Sequence, residues 1–140
     1  MNVLFLCTGN SARSILGEVI FNEVFGDYGQ GYSAGSKPVG QVNVTALKVL
    51  EAYGHTTENL SSKNVDSFSN DNAPQIDVVI SVCDSAANDC PVWLGPGTPE
   101  RLHWPLPDPA AVEDEEEKHK AFEDTYDALK QKLEEWLNSR

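Results

Sequence analysis

The chain has 140 residues, 40% of them hydrophobic, and a formal net charge of −12 at pH 7, which suits one domain over residues 1–140 with a single core. The acidic balance argues against nucleic acid or an anionic membrane as a partner. No stretch approaches the roughly 18 apolar residues of a membrane helix, and no signal peptide is recognisable, so we expect a monomer in the cytoplasm.

A strand followed by a helix is predicted at the start of the chain. The apolar residues 2–6 indicate a short, buried strand of the parallel type. A helix is predicted over residues 13–25, and Gly26 ends it. Its apolar face carries Leu16, Val19, Ile20 and Val24. Cys7 therefore sits where a strand gives way to a loop that leads into a helix.

A second strand and helix follow, and then the clearest strand of the chain. Residues 31–35 are a plausible strand, and Asn43 is a candidate cap for a helix that stops at Gly54. The apolar face of that helix carries Ala46, Leu47, Leu50 and Tyr53. The apolar run of residues 76–82 predicts a central strand that is covered on both faces. Residues 84–100, rich in Gly, Pro, Asn and Asp, indicate a loop.

The last strand is predicted over residues 101–104 and the last helix over residues 115–137. The stripe of that helix is Phe122, Tyr126, Leu129, Leu133, Trp136 and Leu137. The acidic residues 113–117 indicate a solvated helix start, or an acidic surface for a redox partner. The order of elements predicts an α/β fold: a single-domain three-layer sandwich with a four-stranded parallel sheet and helices on both faces. Cys7, Cys83 and the segment after Trp104 then share the carboxyl edge of the sheet, where such folds bind ligands.

Residues 7–14, which we call the anion loop, have the chemistry of an oxyanion site. Backbone N–H groups at a helix N-terminus attract an anion, and the planar fork of Arg13 can grip two of its oxygens. The same positive field favours the thiolate of Cys7, to which Ser14 can donate a hydrogen bond. The predicted binding residues are Thr8, Gly9, Asn10, Ser11, Ala12, Arg13 and Ser14. The alternative is that Cys7 is a buried core cysteine.

Cys83 and Cys90 are separated by six residues, and with Cys7 they make three cysteines. Two inert core cysteines, metal ligands or a redox pair are the possible interpretations. A zinc site would usually need four ligands at tighter spacing, and only His103 offers itself nearby. We therefore predict no metal site and favour thiols with chemistry.

The anion loop resembles that of the low-molecular-weight protein tyrosine phosphatase superfamily, which includes thioredoxin-coupled arsenate reductases. The segment from Cys83 to Cys90 resembles the redox loop of those reductases. The resemblance implies that Cys7 attacks arsenate, that Cys83 attacks the sulfur of Cys7 and releases arsenite, and that Cys90 then forms a disulfide with Cys83. It also implies no bound cofactor, and phosphate or sulfate as substrate analogues. Thioredoxin is the favoured electron donor, and a glutathione- or mycothiol-linked carrier is the alternative.

The same resemblance assigns the general acid to Asp108, which follows the last predicted strand and precedes Pro109. An Asp-Pro pair also commonly starts a turn, and both roles are compatible. Asp84 is a weaker rival. Arg13, Asp108 and the three cysteines complete the predicted catalytic set.

Two other functions stay open on the sequence alone. One is a phosphatase that hydrolyses phosphate monoesters through a Cys7 phosphoenzyme. Ala12 and Ala110 count against it, because phosphatases of the superfamily usually carry a second loop cysteine and an aromatic residue there. The other is a non-enzymatic module that binds an oxyanion or senses redox state.

Lys63 is a further departure from the family pattern. Asn10, Glu18 and Ser33 match positions that hold a potassium ion in some of these reductases. Lys63 falls where those members supply an acidic ligand, so its ammonium can replace the cation and pair with Glu18. A solvated Lys63 and a surface Glu18 are the alternative.

Overall fold

The protein is described here by a computed structural model that covers residues 1–68, 72–83 and 97–140. Four parallel strands form one sheet in the order β2-β1-β3-β4. They are β1 (Asn2–Leu6), β2 (Gln30–Ala34), β3 (Val78–Ser81) and β4 (Glu100–His103). The predicted four-stranded parallel sheet is confirmed. The ladder of β3 is shorter than the predicted 76–82, although Ile76 and Val82 at its two ends are buried.

The described ranges contain three α-helices, each within about two residues of its predicted bounds. They are α1 (Arg13–Val24), α2 (Val44–Ala52) and α3 (Glu115–Asn138). Asn43 caps α2 as predicted, because its side chain accepts hydrogen bonds from the backbone N–H groups of Thr45 and Ala46. Asp114 caps α3 in the same way through the N–H of Glu117.

Alternation along β1 divides the core between the two faces of the sheet. Val3 and Phe5 point into the larger cluster, where buried side chains of all three α-helices pack. Leu4 and Leu6 point into a smaller cluster with Phe68, which belongs to a 3-10 helix at Val65–Phe68. In the described residues, the α-helices cover one face of the sheet and a 3-10 helix covers part of the other. The predicted helices on both faces therefore differ in kind.

The strand order defines where a ligand site belongs. The chain leaves β1 for β2 on one side and later enters β3 on the other side of β1. This reversal opens a crevice at the carboxyl ends of β1 and β3, the usual binding position in open α/β sheets. Within the described ranges, no helix is both long and apolar enough to cross a membrane.

Candidate anion-binding site

Cys7 and Cys83 follow the two strands that border this crevice. Leu6 pairs with Ser81 in the parallel ladder, and the N–H of Val82 donates to the carbonyl of Leu6 at 2.9 Å. Cys7 is therefore the first residue after β1, and Cys83 is the second residue after β3.

The two cysteines differ in covalent state. Cys7 is a buried free thiol, whereas Cys83 is buried and disulfide-bonded. Cys90, the third cysteine of the sequence, lies outside the described residues, and so does Asp84, the weaker rival for the acid.

The carbonyl groups of the anion loop are held from one side by a neighbouring segment, residues 37–43, which we call the strap. The strap N–H groups of Lys37, Val39 and Asn43 donate to loop carbonyls at 3.0, 3.1 and 2.8 Å. The accepting carbonyls are those of Thr8, Gly9 and Ser11 respectively. In a trans peptide the N–H points opposite to the carbonyl, so the following N–H groups turn away from the strap.

Those backbone N–H groups find no acceptor in the described protein. Over residues 8–12, none donates to another described backbone or side-chain group. They lie directly before α1, where the N-terminal end of the helix adds positive potential. The loop thus presents consecutive donors of the kind that bind anions.

Asn10 fixes the shape of the loop. Its backbone takes the left-handed conformation, with φ 45°, which Asn tolerates better than most residues. Its fully buried side chain donates to Oγ of Ser14 at 2.8 Å and accepts from the backbone N–H of Lys63 at 2.6 Å. The side chain of Asn10 therefore connects the loop to both Ser14 and Lys63.

Arg13 opens α1 with an unusual degree of burial for a charged side chain. Only 8% of the residue is exposed, and one terminal nitrogen donates to the carbonyl of Leu106 at 2.9 Å. Its Nε is buried and has no hydrogen-bond partner among the described residues. A buried guanidinium donor without an acceptor is costly, and an oxyanion beside the loop would satisfy it.

Asp108 lies two residues after Leu106, so the Arg13 contact draws the predicted acid's segment toward the loop. Asp108 is exposed, and its side chain caps the 3-10 helix Pro109–Ala111 by accepting from the N–H of Ala110 at 3.0 Å. The turn role foreseen for the Asp-Pro pair is therefore present. The acid role stays a prediction.

The predicted pairing of Lys63 with Glu18 is confirmed. The ammonium lies 3.7 Å from Oε1 of Glu18 and donates to the carbonyl of Ser61 at 2.6 Å. Ser33 donates to the same carboxylate oxygen. In the described ranges, no cluster of three or more His, Cys, Asp or Glu could hold a metal ion.

Sequence reasoning missed three supports of the loop: Gly35, Ser62 and the carbonyl of Leu106. A Cβ at Gly35 would meet the carbonyl oxygens of Thr8 and Cys7 at 2.5 and 2.7 Å. Ser62 donates from Oγ to the carbonyl of Gly9 at 3.1 Å. The glycine at the end of a predicted strand was the one available signal, whereas a serine and a backbone carbonyl give none.

Comparison with known proteins gives consistent results. A family model described as low molecular weight phosphotyrosine protein phosphatase matches residues 2–139. Arsenate reductase of Bacillus subtilis (strain 168) is 36% identical over 138 residues, covering 98% of this chain and 95% of that protein. Arsenate reductase from Archaeoglobus fulgidus has a similar structure, with TM-score 0.72 and 26% identity over 92% of this chain and 96% of that one. An arsenate reductase solved in its phosphate-binding state has TM-score 0.74 and 25% identity, covering 99% and 97%.

Proposed function

Because the chain belongs to the low molecular weight phosphotyrosine protein phosphatase family, we propose that it is an enzyme that binds a tetrahedral oxyanion in the anion loop and attacks it with Cys7. The observation that carries this proposal is Arg13, which is buried at the start of α1 and whose Nε has no partner in the part of the chain that the structure describes. The backbone N–H groups of residues 8–12, which have no described acceptor, support the same site. Together these donors match the charge and shape of arsenate or phosphate.

Arsenate is the proposed substrate, and arsenite is the product. The support is the arsenate reductase of Bacillus subtilis, similar over 98% of this chain, and the solved arsenate reductase from Archaeoglobus fulgidus. The three cysteines point the same way, because reduction needs two electrons from thiols and ester hydrolysis does not. Arsenic detoxification is the corresponding biological role.

The first step forms a bond between sulfur and arsenic. The Cys7 thiolate attacks arsenic, and Asp108 protonates a departing hydroxyl, which leaves as water. Arg13 and the loop N–H groups stabilise the charge on the remaining oxygens. This step leaves arsenic in the +5 state.

The second step reduces arsenic. The Cys83 thiolate attacks the sulfur of Cys7, so that a Cys7–Cys83 disulfide forms and the bond between sulfur and arsenic breaks. The electron pair of that bond stays on arsenic, which leaves as arsenite. Cys7 and Cys83 follow the paired strands β1 and β3, and this placement is compatible with such a disulfide.

The third step regenerates the nucleophile. The Cys90 thiolate attacks Cys83, which releases the Cys7 thiolate and leaves a Cys83–Cys90 disulfide. A free Cys7 beside a disulfide-bonded Cys83 is the combination expected after this step. Thioredoxin then reduces the disulfide, since an intramolecular disulfide suits a dithiol reductant, and the protein needs no bound cofactor. We place this cycle in the cytoplasm, where thioredoxin keeps thiols reduced.

The test is NADPH oxidation with arsenate, thioredoxin and thioredoxin reductase. Replacing any one of Cys7, Cys83 or Cys90 by Ser should abolish turnover. In a single turnover without reductant, Cys90→Ser should still release about one arsenite per protein, whereas Cys83→Ser should release none. Arsenite release by Cys83→Ser at the unaltered rate would contradict the relay. Turnover with glutathione and glutaredoxin alone would keep the reductase and change the donor.

A phosphatase is the second candidate, favoured by an apolar surface beside the loop. Val39 and Val44 are 66% and 57% exposed, and with Ser11 they line a shallow groove. Inorganic arsenate needs no apolar wall, whereas an aryl phosphate would use one. Hydrolysis of an aryl phosphate that depends on Cys7 but not on Cys83, without arsenate reduction, would establish the phosphatase.

A further inference from the structure

Ser62 and Lys63 contact the anion loop from its outer side. The Ser62 hydroxyl bonds to the carbonyl of Gly9, and the Lys63 N–H bonds to Oδ1 of Asn10. The two contacts hold consecutive loop residues, one through the backbone and one through the side chain. Both reach across 53 residues of sequence.

The direction of the Ser62 proton follows from its second partner. The N–H of Gly40, in the strap, donates to Oγ of Ser62 at 3.2 Å. A serine hydroxyl carries one proton and two lone pairs. Since one lone pair accepts the Gly40 N–H, the proton remains for the Gly9 carbonyl. Ser62 therefore ties the strap to the loop in one defined orientation.

We infer that Ser62 is a positioning residue for oxyanion binding, which acts through the Gly9 carbonyl on the N–H of Asn10. The Gly9 carbonyl accepts from both Val39 N–H and Ser62 Oγ. The backbone of a glycine is conformationally permissive and does not by itself fix the orientation of its peptide plane. That orientation therefore depends on these two contacts. The Gly9 carbonyl and the Asn10 N–H belong to one peptide plane and point in opposite directions. Contacts that fix the direction of the carbonyl therefore also fix the direction of the N–H. The inference rests on the proposed oxyanion site.

The primary test compares the intact protein with Ser62→Ala. Inorganic phosphate is titrated by calorimetry, and its dissociation constant should rise about fivefold on loss of one aligned hydrogen bond. The KM for arsenate should rise more than kcat falls. The pH profile of Cys7 alkylation by iodoacetamide, followed on the Cys7 peptide by mass spectrometry, should move to higher pH. A merely structural role would leave that profile in place.

Two matched variants complete the design. Ser61→Ala removes the exposed neighbouring hydroxyl. It should bind phosphate like the intact protein, because the contact that Ser61 makes with described residues is through its backbone carbonyl. Ser62→Thr keeps the hydroxyl and should restore affinity. Should the alanine variant not fold, Ser62→Val against the near-isosteric Ser62→Thr gives the same comparison.

Two results are decisive, and they separate this inference from the proposed reaction. A folded Ser62→Ala protein with unchanged phosphate affinity and an unchanged alkylation profile overturns the inference. Phosphate binding and Cys7 alkylation need neither Cys83 nor Cys90. An intact protein that binds phosphate in a Ser62-dependent way but reduces no arsenate would therefore overturn the reductase and leave the positioning role of Ser62 established.

Discussion

Gly35 is the residue at which the smallest change should most disturb the anion loop. In Gly35→Ala, the added methyl group would lie 2.5 Å from the carbonyl oxygen of Thr8 and 2.7 Å from that of Cys7. It would also lie 3.0 Å from the backbone nitrogen of Asn10. All three atoms belong to the backbone, so no side chain can rotate away. The methyl group can be accommodated only if the backbone of the loop or of Gly35 moves.

Gly35 itself is held in place from the other side. Its N–H donates to the carbonyl of Lys63 at 2.8 Å, and its carbonyl accepts from the N–H of Val65 at 2.9 Å. A carbon atom normally approaches a carbonyl oxygen to about 3.3 Å, so the loop must shift by roughly 0.8 Å. A misplacement on the order of 1 Å at a reacting centre costs about a hundredfold in rate. Overpacking of this kind also costs about 1–3 kcal/mol of stability.

The assay is kcat/KM for arsenate with a saturating dithiol reductant, together with phosphate affinity and thermal unfolding. Gly35→Ala should lose about a hundredfold in kcat/KM. Gly26→Ala is the open-space control, since no described residue other than its chain neighbours has an atom within 4 Å of the added Cβ. Gly17→Ala is the strained control away from the loop, because its Cβ would lie 2.6 Å from the ring of Phe5. Gly17→Ala should lower the stability of the protein, whereas the molecules that do fold should keep the kcat/KM of the intact protein.

Wild-type kcat/KM and phosphate affinity in Gly35→Ala would refute the reasoning outright. Equal losses per folded molecule in Gly35→Ala and Gly17→Ala would also refute it, because the effect would then come from general packing. A loss confined to Gly35→Ala would locate the effect in the loop.

Four further predictions follow from single residues. Arg13→Lys keeps the charge but loses the fork and the Leu106 contact, so kcat/KM for arsenate should fall about a hundredfold, and a fall below threefold would remove Arg13 from the site. Asp108→Asn keeps an acceptor for the turn, so thermal stability should hold while kcat falls about a hundredfold; an unchanged kcat would exclude it as the acid. The Lys63 ammonium beside Glu18 predicts equal activity in potassium and sodium chloride at constant ionic strength, and strong potassium activation would contradict it. Burial raises the pKa of Tyr126, so its stabilisation is present below about pH 10 and lost as the pH rises further; Tyr126→Phe should flatten that decline in chemical denaturation, and an identical slope would disprove it.

Helices, strands and helix caps could be predicted from the sequence because they depend on residues that are close along the chain. The side chain of Asn43 reaches N–H groups only two and three residues away, so its cap follows from a short stretch of sequence. The apolar stripe of α3 likewise repeats at helical spacing. The predicted strand bounds differ slightly from the observed ones. At a strand end, pairing with the neighbouring strand decides whether an apolar residue belongs to the ladder.

The order of elements, the anion loop and the family could all be predicted from the amino-acid sequence, because each depends on residues that are close along the chain. Only the tertiary structure brought the carbonyl of Leu106 to Arg13, across 93 residues, and Ser62 to Gly9. It also decided that the three α-helices pack on one face of the sheet. Such contacts arise from the way that separate elements pack. The sequence contains no pattern that indicates which distant residue a hydroxyl or a backbone carbonyl will contact. The loop's chemistry is thus encoded locally, while its shape depends on segments far away in sequence.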